Sequence, residues 1–262
     1  MKRAVIMGAT SGIGYEVAKL LAQKGWRVGI AGRREEKLQA LEQLFPQQIA
    51  YQIIDIEKDD APELLEQLID KIGGMELYFH SSGVGFQNKE LEERAELATC
   101  AVNVTGFTRM VLAAWHYFTK RQESTPDFCG GQIAVISSVA STRGLGPAAA
   151  YSASKAYNKA YIQALNQLSN STRANSLQKG GSSKSKPLKI CFTEIRPGFV
   201  DTPLLDTQKY RYPMLLQPQK VAEKIVRAVE KKRRVAIIDW RYKILVFFWR
   251  LIPRPLWERI KL

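Results

Sequence analysis

The chain has 262 residues, 45% of them apolar and 24% charged, which is ordinary for a soluble globular protein and enough for one sizeable α/β domain. Its net charge of +14 is unevenly placed: residues 231–262 carry +8 and residues 170–189 carry +5, so the rest is nearly neutral. A nucleic-acid-binding domain would carry the excess on its own fold, so we expect no nucleic-acid partner.

Targeting and redox features favour a cytoplasmic protein. The glycine-rich turn begins at residue 8, which leaves no room before it for a signal-peptide core. The longest unbroken apolar run, residues 244–249, is far shorter than the 18 or more residues of a spanning helix. The cysteines are odd in number and widely spaced, and we expect each to be a small buried residue: Cys100, Cys129 and Cys191. With only two histidines, a histidine-based zinc site is not predicted.

Apolar spacing and turn residues predict strands and helices in strict alternation. We expect strands at residues 3–7, 26–32, 49–55, 75–83, 132–138, 188–198 and 233–239, and helices at residues 15–25, 33–45, 61–72, 91–119, 151–169 and 218–231. Such alternation produces βαβ units, so the predicted fold is α/β, a Rossmann-type doubly wound parallel sheet in a single domain over residues 1–239. The polar, basic, glycine- and serine-rich segment 169–187 is predicted to be a surface loop.

A glycine cluster, GATSGIG, joins the first predicted strand to the first predicted helix. Glycines let the backbone turn sharply and approach a pyrophosphate, whose charge is favoured at a helix N-terminus. The spacing is GxxxGxG, and alone it also fits an ordinary turn between strand and helix. Its position after the first strand favours a dinucleotide site. The predicted cofactor-binding residues here are Gly8, Thr10, Ser11, Gly12, Ile13 and Gly14.

Two arginines follow the second predicted strand. Arg33 and Arg34 come after Gly32, with no acid before Glu35. A fold that prefers NAD places Asp or Glu at this strand end. Here Arg33, assisted by Arg34, could instead pair with the 2′-phosphate of NADP. The alternative is a solvated charge pair, although the helix dipole disfavours cations at a helix start. The sequence therefore favours NADP (NADPH) over NAD.

Tyr151 and Lys155 are four residues apart in a predicted helix and share one face. A nearby positive charge favours the phenolate, so we expect the pKa of Tyr151 to be lowered towards physiological pH, which makes it a usable acid or base. Isolated pairs of this kind are common by chance. Ser138, at the end of predicted strand 132–138, adds a hydroxyl that would polarise a carbonyl.

In order and spacing these residues resemble the short-chain dehydrogenase/reductase family over about residues 3–240. The resemblance implies hydride transfer between NADP(H) and a carbonyl or alcohol, with Tyr151 as the proton donor and Ser138 orienting the carbonyl. It implies that Lys155 lowers the tyrosine pKa and binds the nicotinamide ribose, and that Asn103 holds a water linking Lys155 to solvent. Ser137 adjoins Ser138, and the family spacing selects Ser138 because only one of the two can face a given side of a strand.

The same resemblance implies further cofactor contacts. Adenine would meet Asp55, and the Pro197-Gly198 turn would lie beside the nicotinamide, whose carboxamide Val200 and Thr202 would meet. The family's Asn-Asn-Ala-Gly is here His80-Ser81-Ser82-Gly83, so we predict that His80 is a structural substitute and not a catalyst. The cofactor contacts implied outside the glycine cluster and the arginine pair are Asp55, Ile56, Gly83, Asn103, Tyr151, Lys155, Pro197, Gly198, Val200 and Thr202.

Two segments bear on substrate and partners. Residues 201–217 carry Leu, Tyr and Met and predict an apolar substrate such as a 3-keto lipid or a steroid, unless they pack on the protein itself. Residues 240–262 form a basic tail with three of the five tryptophans. Trp and basic residues flanking apolar ones are typical of peripheral membrane contact, and the alternatives are that the tail covers the substrate pocket or joins subunits.

The sequence therefore predicts an NADP(H)-dependent carbonyl reductase or alcohol dehydrogenase with a small-molecule substrate, present as a homo-oligomer (dimer or tetramer). Two other classes stay open. A non-catalytic dinucleotide sensor would not need the Tyr151–Lys155 pair, and a membrane-surface scaffold would not need the glycine cluster.

Overall fold

A seven-stranded parallel sheet forms the centre of the protein, in the order β3-β2-β1-β4-β5-β6-β7. The structure is a computed structural model that describes residues 1–125, 128, 130–178 and 190–260; of residues 123 and 172–178 it describes only the backbone. The strands are β1 (Arg3–Met7), β2 (Arg27–Gly32), β3 (Ile49–Ile53), β4 (Leu77–His80), β5 (Gln132–Ile136), β6 (Cys191–Arg196) and β7 (Val235–Ile237). The predicted α/β fold is confirmed.

Helices cover both faces of the sheet. They are α1 (Gly12–Gln23), α2 (Glu35–Leu44), α3 (Ala61–Lys71), α4 (Glu93–Cys100), α5 (Phe107–Ser124), α6 (Ala149–Gln178), α7 (Pro218–Glu230), α8 (Trp240–Leu251) and α9 (Arg254–Trp257). Alternating side chains of β1 enter opposite layers, because successive residues of a strand point to opposite faces. Ala4 and Ile6 pack with α1, α2 and α7, whereas Val5 and Met7 pack with α3, α5 and α6.

The chain order leaves a crevice at one edge of the sheet. From central β1 the chain builds β2 and β3 on one side, then crosses back to place β4 on the other side of β1. In open sheets of this kind, ligands bind outside the carboxyl ends of the strands where the order reverses. Residues 8–14 follow β1 there, and residues 81–83 follow β4.

The predicted helix 91–119 is divided in the structure. A π-helical segment, Ala101–Gly106, separates α4 from α5 and contains Asn103. Such wide turns are rare and free backbone carbonyls from the regular ladder, which is why they recur at functional sites. Apolar periodicity does not reveal the extra residue, so the sequence predicted one continuous helix.

The predicted surface loop 169–187 is wrong over its first ten residues, which continue α6 to Gln178. The segment contains no glycine or proline before Gly180, and extending an existing helix requires no new nucleus. Residues 179–187 lie outside the described residues.

The expected burial of the cysteines is wrong for Cys100, which is exposed at the end of α4, and Cys191 is only half-buried. Cys129 lies outside the described residues. Burial of Cys100 at the end of α4 and of Cys191 at the start of β6 depends on tertiary packing, and isolated cysteines carry no signal of it.

One helical stretch in the described part of the chain, residues 93–122, is long and apolar enough by length and composition to cross a membrane. Three of its large apolar side chains, Phe107, Met110 and Phe118, are fully buried in the layer beside the sheet. The stretch is therefore part of the core of the fold, and its apolar face packs against the sheet.

The C-terminal tail packs against the carboxyl end of the sheet. Tyr242 and Val246 of α8 are buried with Val139, which follows β5, and Phe199 and Met214 pack around them. One face of α8 therefore completes a small third core next to the crevice.

Candidate active site

The glycine turn after β1 lies in close contact with two other segments. Gly8 and Gly12 have φ of +89° and +58°, a region that L side chains rarely adopt. A Cβ on Gly8 would lie 2.6 Å from the backbone nitrogen of Ser82, and one on Gly12 would lie 2.9 Å from the Thr202 side chain. The turn therefore requires glycine for both conformation and space, and it brings the segments after β4 and β6 into one site.

The start of α1 fits a dinucleotide phosphate. Ser11 precedes the helix in extended conformation, and its side chain makes no capping hydrogen bond. A Cβ on Gly14 would collide with the carbonyl oxygen of Gly8, so only glycine lets the turn close over the first helical residues. Backbone N–H groups at such an uncapped helix start favour an anion, and residues 8–14 supply the cradle for one.

The two arginines after β2 point in different directions. Arg34 donates from Nη2 to the hydroxyls of Thr10 (2.6 Å) and Ser11 (2.8 Å), so its guanidinium stands over the glycine turn. Arg33 is mostly exposed, and its Nη1 lies 3.7 Å from a carboxylate oxygen of Glu57. The geometry therefore gives Arg34 the closer position to the phosphate cradle, reversing the order that we expected from the sequence.

The predicted adenine contacts lie beyond β3. The Asp55 carboxylate accepts a hydrogen bond from the Glu57 backbone at 3.2 Å. Ile56 is buried against Gly106, where a Cβ would lie 2.7 Å from its side chain. Both residues follow β3 and so lie at the same edge of the sheet as the arginine pair, which follows β2.

Tyr151, Lys155 and Ser138 meet on the other side of the crevice. Tyr151 lies in the first turn of α6, and the Nζ of Lys155 lies 5.7 Å from its ring centroid. Lys155 is buried and donates to the carbonyl of Ile136 at 3.4 Å. The Ser138 hydroxyl bonds the Tyr151 side chain, whereas Ser137 turns away and donates to Glu194 at 2.7 Å.

The expected lowering of the Tyr151 pKa is wrong for this structure. Burial raises the pKa of Tyr151, and the hydrogen bond with Ser138 offsets this only in part. Burial also lowers the pKa of Lys155 to about 8. The Lys155 ammonium faces the Tyr151 ring. Because both groups are removed from water, the phenolate of Tyr151 and the ammonium of Lys155 are each disfavoured relative to their neutral forms.

Asn103 ties the loop after β4 to α6. Its side chain accepts from the backbone nitrogen of Val84 at 2.9 Å and donates to the Val84 carbonyl at 2.7 Å and to Ser154 at 3.0 Å. Its main-chain carbonyl accepts from the Asn158 amide at 2.8 Å when that amide is turned to satisfy its neighbours. The water-holding role predicted for Asn103 stays a prediction.

Gly83 and His80 frame the same loop. A Cβ on Gly83 would lie 3.1 Å from Asn103 Oδ1 and 3.2 Å from Lys155 Nζ, so the backbone passes directly over the lysine. His80 is buried, bonds the Tyr78 hydroxyl through Nδ1 at 2.9 Å, and meets Phe107 edge-on. Burial, followed by the charge of Lys155, lowers the pKa of His80 to about 3. A neutral, enclosed ring fits the predicted structural role.

The turn after β6 closes the site. The Pro197 carbonyl accepts from Val139 at 3.0 Å, and Gly198 lies against the Tyr242 ring, where a Cβ would collide. Val200 pairs with Leu216 in a parallel bridge. The Thr202 side chain lies against Gly12. The predicted residues of this turn therefore lie across the crevice from the glycine turn.

Sequence reasoning missed several residues around the tyrosine. A Cβ on Gly85 would lie 2.7 Å from the Tyr151 ring. The Glu96 carboxylate accepts from the Ala150 backbone at 3.0 Å at the start of α6 and from Asn88 at 2.8 Å. These contacts join residues more than fifty positions apart or from neighbouring loops, and no local pattern marks them. Only Ser154, one turn after Tyr151, carried a helical-spacing signal.

Fold and site together define a nucleotide-binding oxidoreductase of the doubly wound class. A sequence model of the short chain dehydrogenases matches residues 2–212, and the chain belongs to that family. The chain is also 28% identical, over 98% of its length and 95% of the relative's, to an uncharacterised oxidoreductase of Myxococcus xanthus (strain DK1622).

Solved structures agree with the family. A 3-ketoacyl-(acyl-carrier-protein) reductase from Brucella melitensis, complexed with NADH, superposes with a TM-score of 0.70 at 25% identity, over 90% of this chain and 95% of that one. A short-chain dehydrogenase from Sphingobium yanoikuyae, in complex with NADPH, has a TM-score of 0.72 over 100% and 97% of the two chains, and at 17% identity it shows the fold alone. The protein is thus an oxidoreductase of a fold that binds NAD(P)H.

Proposed function

We propose that the protein is an NADP(H)-dependent carbonyl reductase that acts on an apolar, lipid-like ketone in the cytoplasm. The observation that carries this proposal is the meeting of Tyr151, Lys155 and Ser138 beside a glycine turn that fits a dinucleotide phosphate. A non-catalytic sensor or a scaffold would need neither the tyrosine–lysine pair nor the serine. A homo-oligomer, dimer or tetramer, is part of the same proposal.

The reaction is carbonyl plus NADPH plus a proton giving alcohol plus NADP⁺. The bound cofactor supplies the hydride. Ser138 donates a hydrogen bond to the substrate oxygen and holds it near the phenol. Tyr151 gives its proton to that oxygen as negative charge develops there, and its raised pKa keeps it protonated until then.

Lys155 and Asn103 prepare this proton transfer. The Lys155 ammonium is held between Gly83 and the Ile136 carbonyl, and from there it would bind the nicotinamide ribose of the cofactor. Its charge also favours the phenolate that remains after the proton leaves. Asn103 is hydrogen-bonded to Val84 and Ser154 and so holds the loop after β4 against α6. Its main-chain carbonyl would hold a water that links Lys155 to solvent, through which the tyrosine proton would be replaced.

The preference for NADP rests on charge. Arg34 stands over Thr10 and Ser11, and Arg33 lies at the same end of the crevice. The Glu57 carboxylate is paired with Arg33 at 3.7 Å. Two guanidinium groups suit a 2′-phosphate, whereas a ribose hydroxyl is better met by a carboxylate.

The apolar substrate is supported by the segment after β6. The rings of Phe199 and Tyr212 lie 4.9 Å apart, and Leu204 and Leu215 keep substantial exposure on the same segment. Leu216 pairs with Val200, which holds the segment as a closed loop beside the site. Such a loop offers an acyl chain or a steroid ring apolar contact without a buried charge.

The test is NADPH oxidation measured over long-chain 3-keto lipids, steroids and short polar ketones, with NADH in parallel. We expect turnover with NADPH and the apolar ketones. Ser138→Ala should lose most of this rate. Ser137→Ala is the matched control, because its hydroxyl serves Glu194 and not the site. NADPH binding without turnover of any carbonyl or alcohol would favour the sensor instead.

A further inference from the structure

Helix α8 exposes a continuous apolar stripe. Five large side chains on it are between 48% and 66% exposed: Trp240, Ile244, Phe247, Phe248 and Leu251. At 3.6 residues per turn they fall within an arc of about 100°. We call these five residues the apolar α8 face. Exposed patches of this kind mark a binding surface, because scattered apolar residues would not align.

The opposite side of α8 already holds the helix in place. Tyr242 and Val246 are buried in the third core, and Leu245 packs against it. The tail thus covers the end of the site with one face and leaves the other face largely exposed. The buried contacts of α8 with the third core are therefore made by its other face.

Cations border the apolar α8 face on both sides. Arg241 follows it along one edge, and Lys243 and Arg250 follow it along the other, by the same helical geometry. The helix contains no acidic residue. The acids that flank it are paired: Asp239 with Arg241 at 2.9 Å, and Glu258 with Arg254 at 2.7 Å.

We propose that the apolar α8 face docks peripherally on an anionic lipid surface. Trp and Phe would enter the boundary between head groups and acyl chains, and the bordering cations would meet lipid phosphates and carboxylates. The excess of +8 over residues 231–262 complements such a surface. A second copy of the chain fits less well, because a symmetric contact through this face would place like charges together on both edges.

The docked helix is linked to the catalytic rim. Arg143, five residues after Ser138, donates to the carbonyls of Trp249 (3.1 Å) and Ile252 (2.5 Å) at the end of α8. Trp257 donates through Nε1 to the carbonyl of Gly144 at 2.9 Å. Membrane docking would therefore hold the rim of the site at the bilayer, and, if the proposed function is right, a lipid-like ketone could enter without crossing water.

The test is co-sedimentation of the full-length protein with vesicles of neutral lipid alone and of neutral lipid mixed with anionic lipid, at low and high salt. We expect binding at least about tenfold stronger with anionic lipid, and partial release by salt. A triple variant, Trp240→Ser, Phe247→Ser and Phe248→Ser, should lose about tenfold or more of it, because the apolar contact is removed.

Leu44→Ser with Leu97→Ser is the matched control, since these leucines on α2 and α4 are 59% and 60% exposed on other surfaces. This control should sediment as the unchanged protein does. The vesicle readout needs no turnover, so it stands apart from the test of the proposed function. Absence of sedimentation, equal binding to neutral vesicles, or full binding by the triple variant would overturn the proposal. The proposal would also be overturned if the triple variant bound vesicles normally and differed only in its molecular mass in solution. That result would identify the apolar α8 face as a subunit interface.

Discussion

The ammonium of Lys155 lies over the ring of Tyr151, 5.7 Å from its centroid. The pair shares one face of α6, as a spacing of four residues dictates. Burial dominates both groups, raising the pKa of the tyrosine and lowering that of the lysine to about 8. The site therefore holds a protonated phenol, which suits the reductive direction.

The lysine predicts a pH dependence. Lys155 is charged below about pH 8 and loses its proton as the pH rises through that value. If its ammonium binds the ribose, kcat/KM for NADPH should fall above about pH 8, since this parameter reports groups of the free enzyme. A Lys155→Arg variant keeps its charge, so whatever activity it retains should show no such decline. A decline at the same pH in the variant would assign it to another group.

The arginine pair predicts cofactor discrimination. Replacing Arg33 and Arg34 by Ala should lower the affinity for NADPH by roughly ten- to hundredfold, which is the value of one lost charge-assisted hydrogen bond. The affinity for NADH should be nearly unchanged. Fluorescence titration of both cofactors measures this. Of the single variants, Arg34→Ala should have the larger effect, because Arg34 contacts Thr10 and Ser11. Equal weakening of both cofactors would contradict a 2′-phosphate site.

Tyr242 predicts a link between the tail and the site. Its hydroxyl accepts from the Phe199 backbone at 3.0 Å and donates to the Pro213 carbonyl at 3.0 Å, and its ring is fully buried. Tyr242→Phe should lower the free energy of unfolding by about 1–3 kcal/mol through unpaired backbone groups, and Tyr242→Ala by about 3–5 kcal/mol through the cavity. Urea unfolding measures both, with Tyr210→Phe at a more exposed tyrosine as the control. No loss in either variant would mean that α8 does not support the turn after β6.

Much of the fold was predictable because its signals are local. Most strands of the sheet are short, mainly apolar runs, and the turns at the site carry glycine or proline within a few residues of a strand end. The βαβ rule limits the possible topologies, and the order β3-β2-β1-β4 is seen only in the structure. The extension of α6 to Gln178 was missed, since serine and asparagine are poor helix formers that an established helix can still carry.

The site was predictable in its residue types and less so in its electrostatics. Spacing alone places Tyr151 and Lys155 on one face. The direction of the Tyr151 pKa shift was predicted wrongly, because burial depends on Gly85 and other residues that meet the ring only in the folded chain. Likewise, the approach of Arg34 to Thr10 and the contact of Glu96 with Ala150 join distant positions, which a single sequence cannot pair.

The most direct test of the account is a comparison of the unchanged protein with Tyr151→Phe, measuring NADPH binding and turnover of an accepted ketone in the same preparations. The variant lacks only the proton donor, so NADPH affinity should be nearly unchanged while kcat falls by about a hundred- to ten-thousandfold or more. Retention of more than about half of the activity would contradict general acid catalysis by Tyr151, whose typical contribution is far larger.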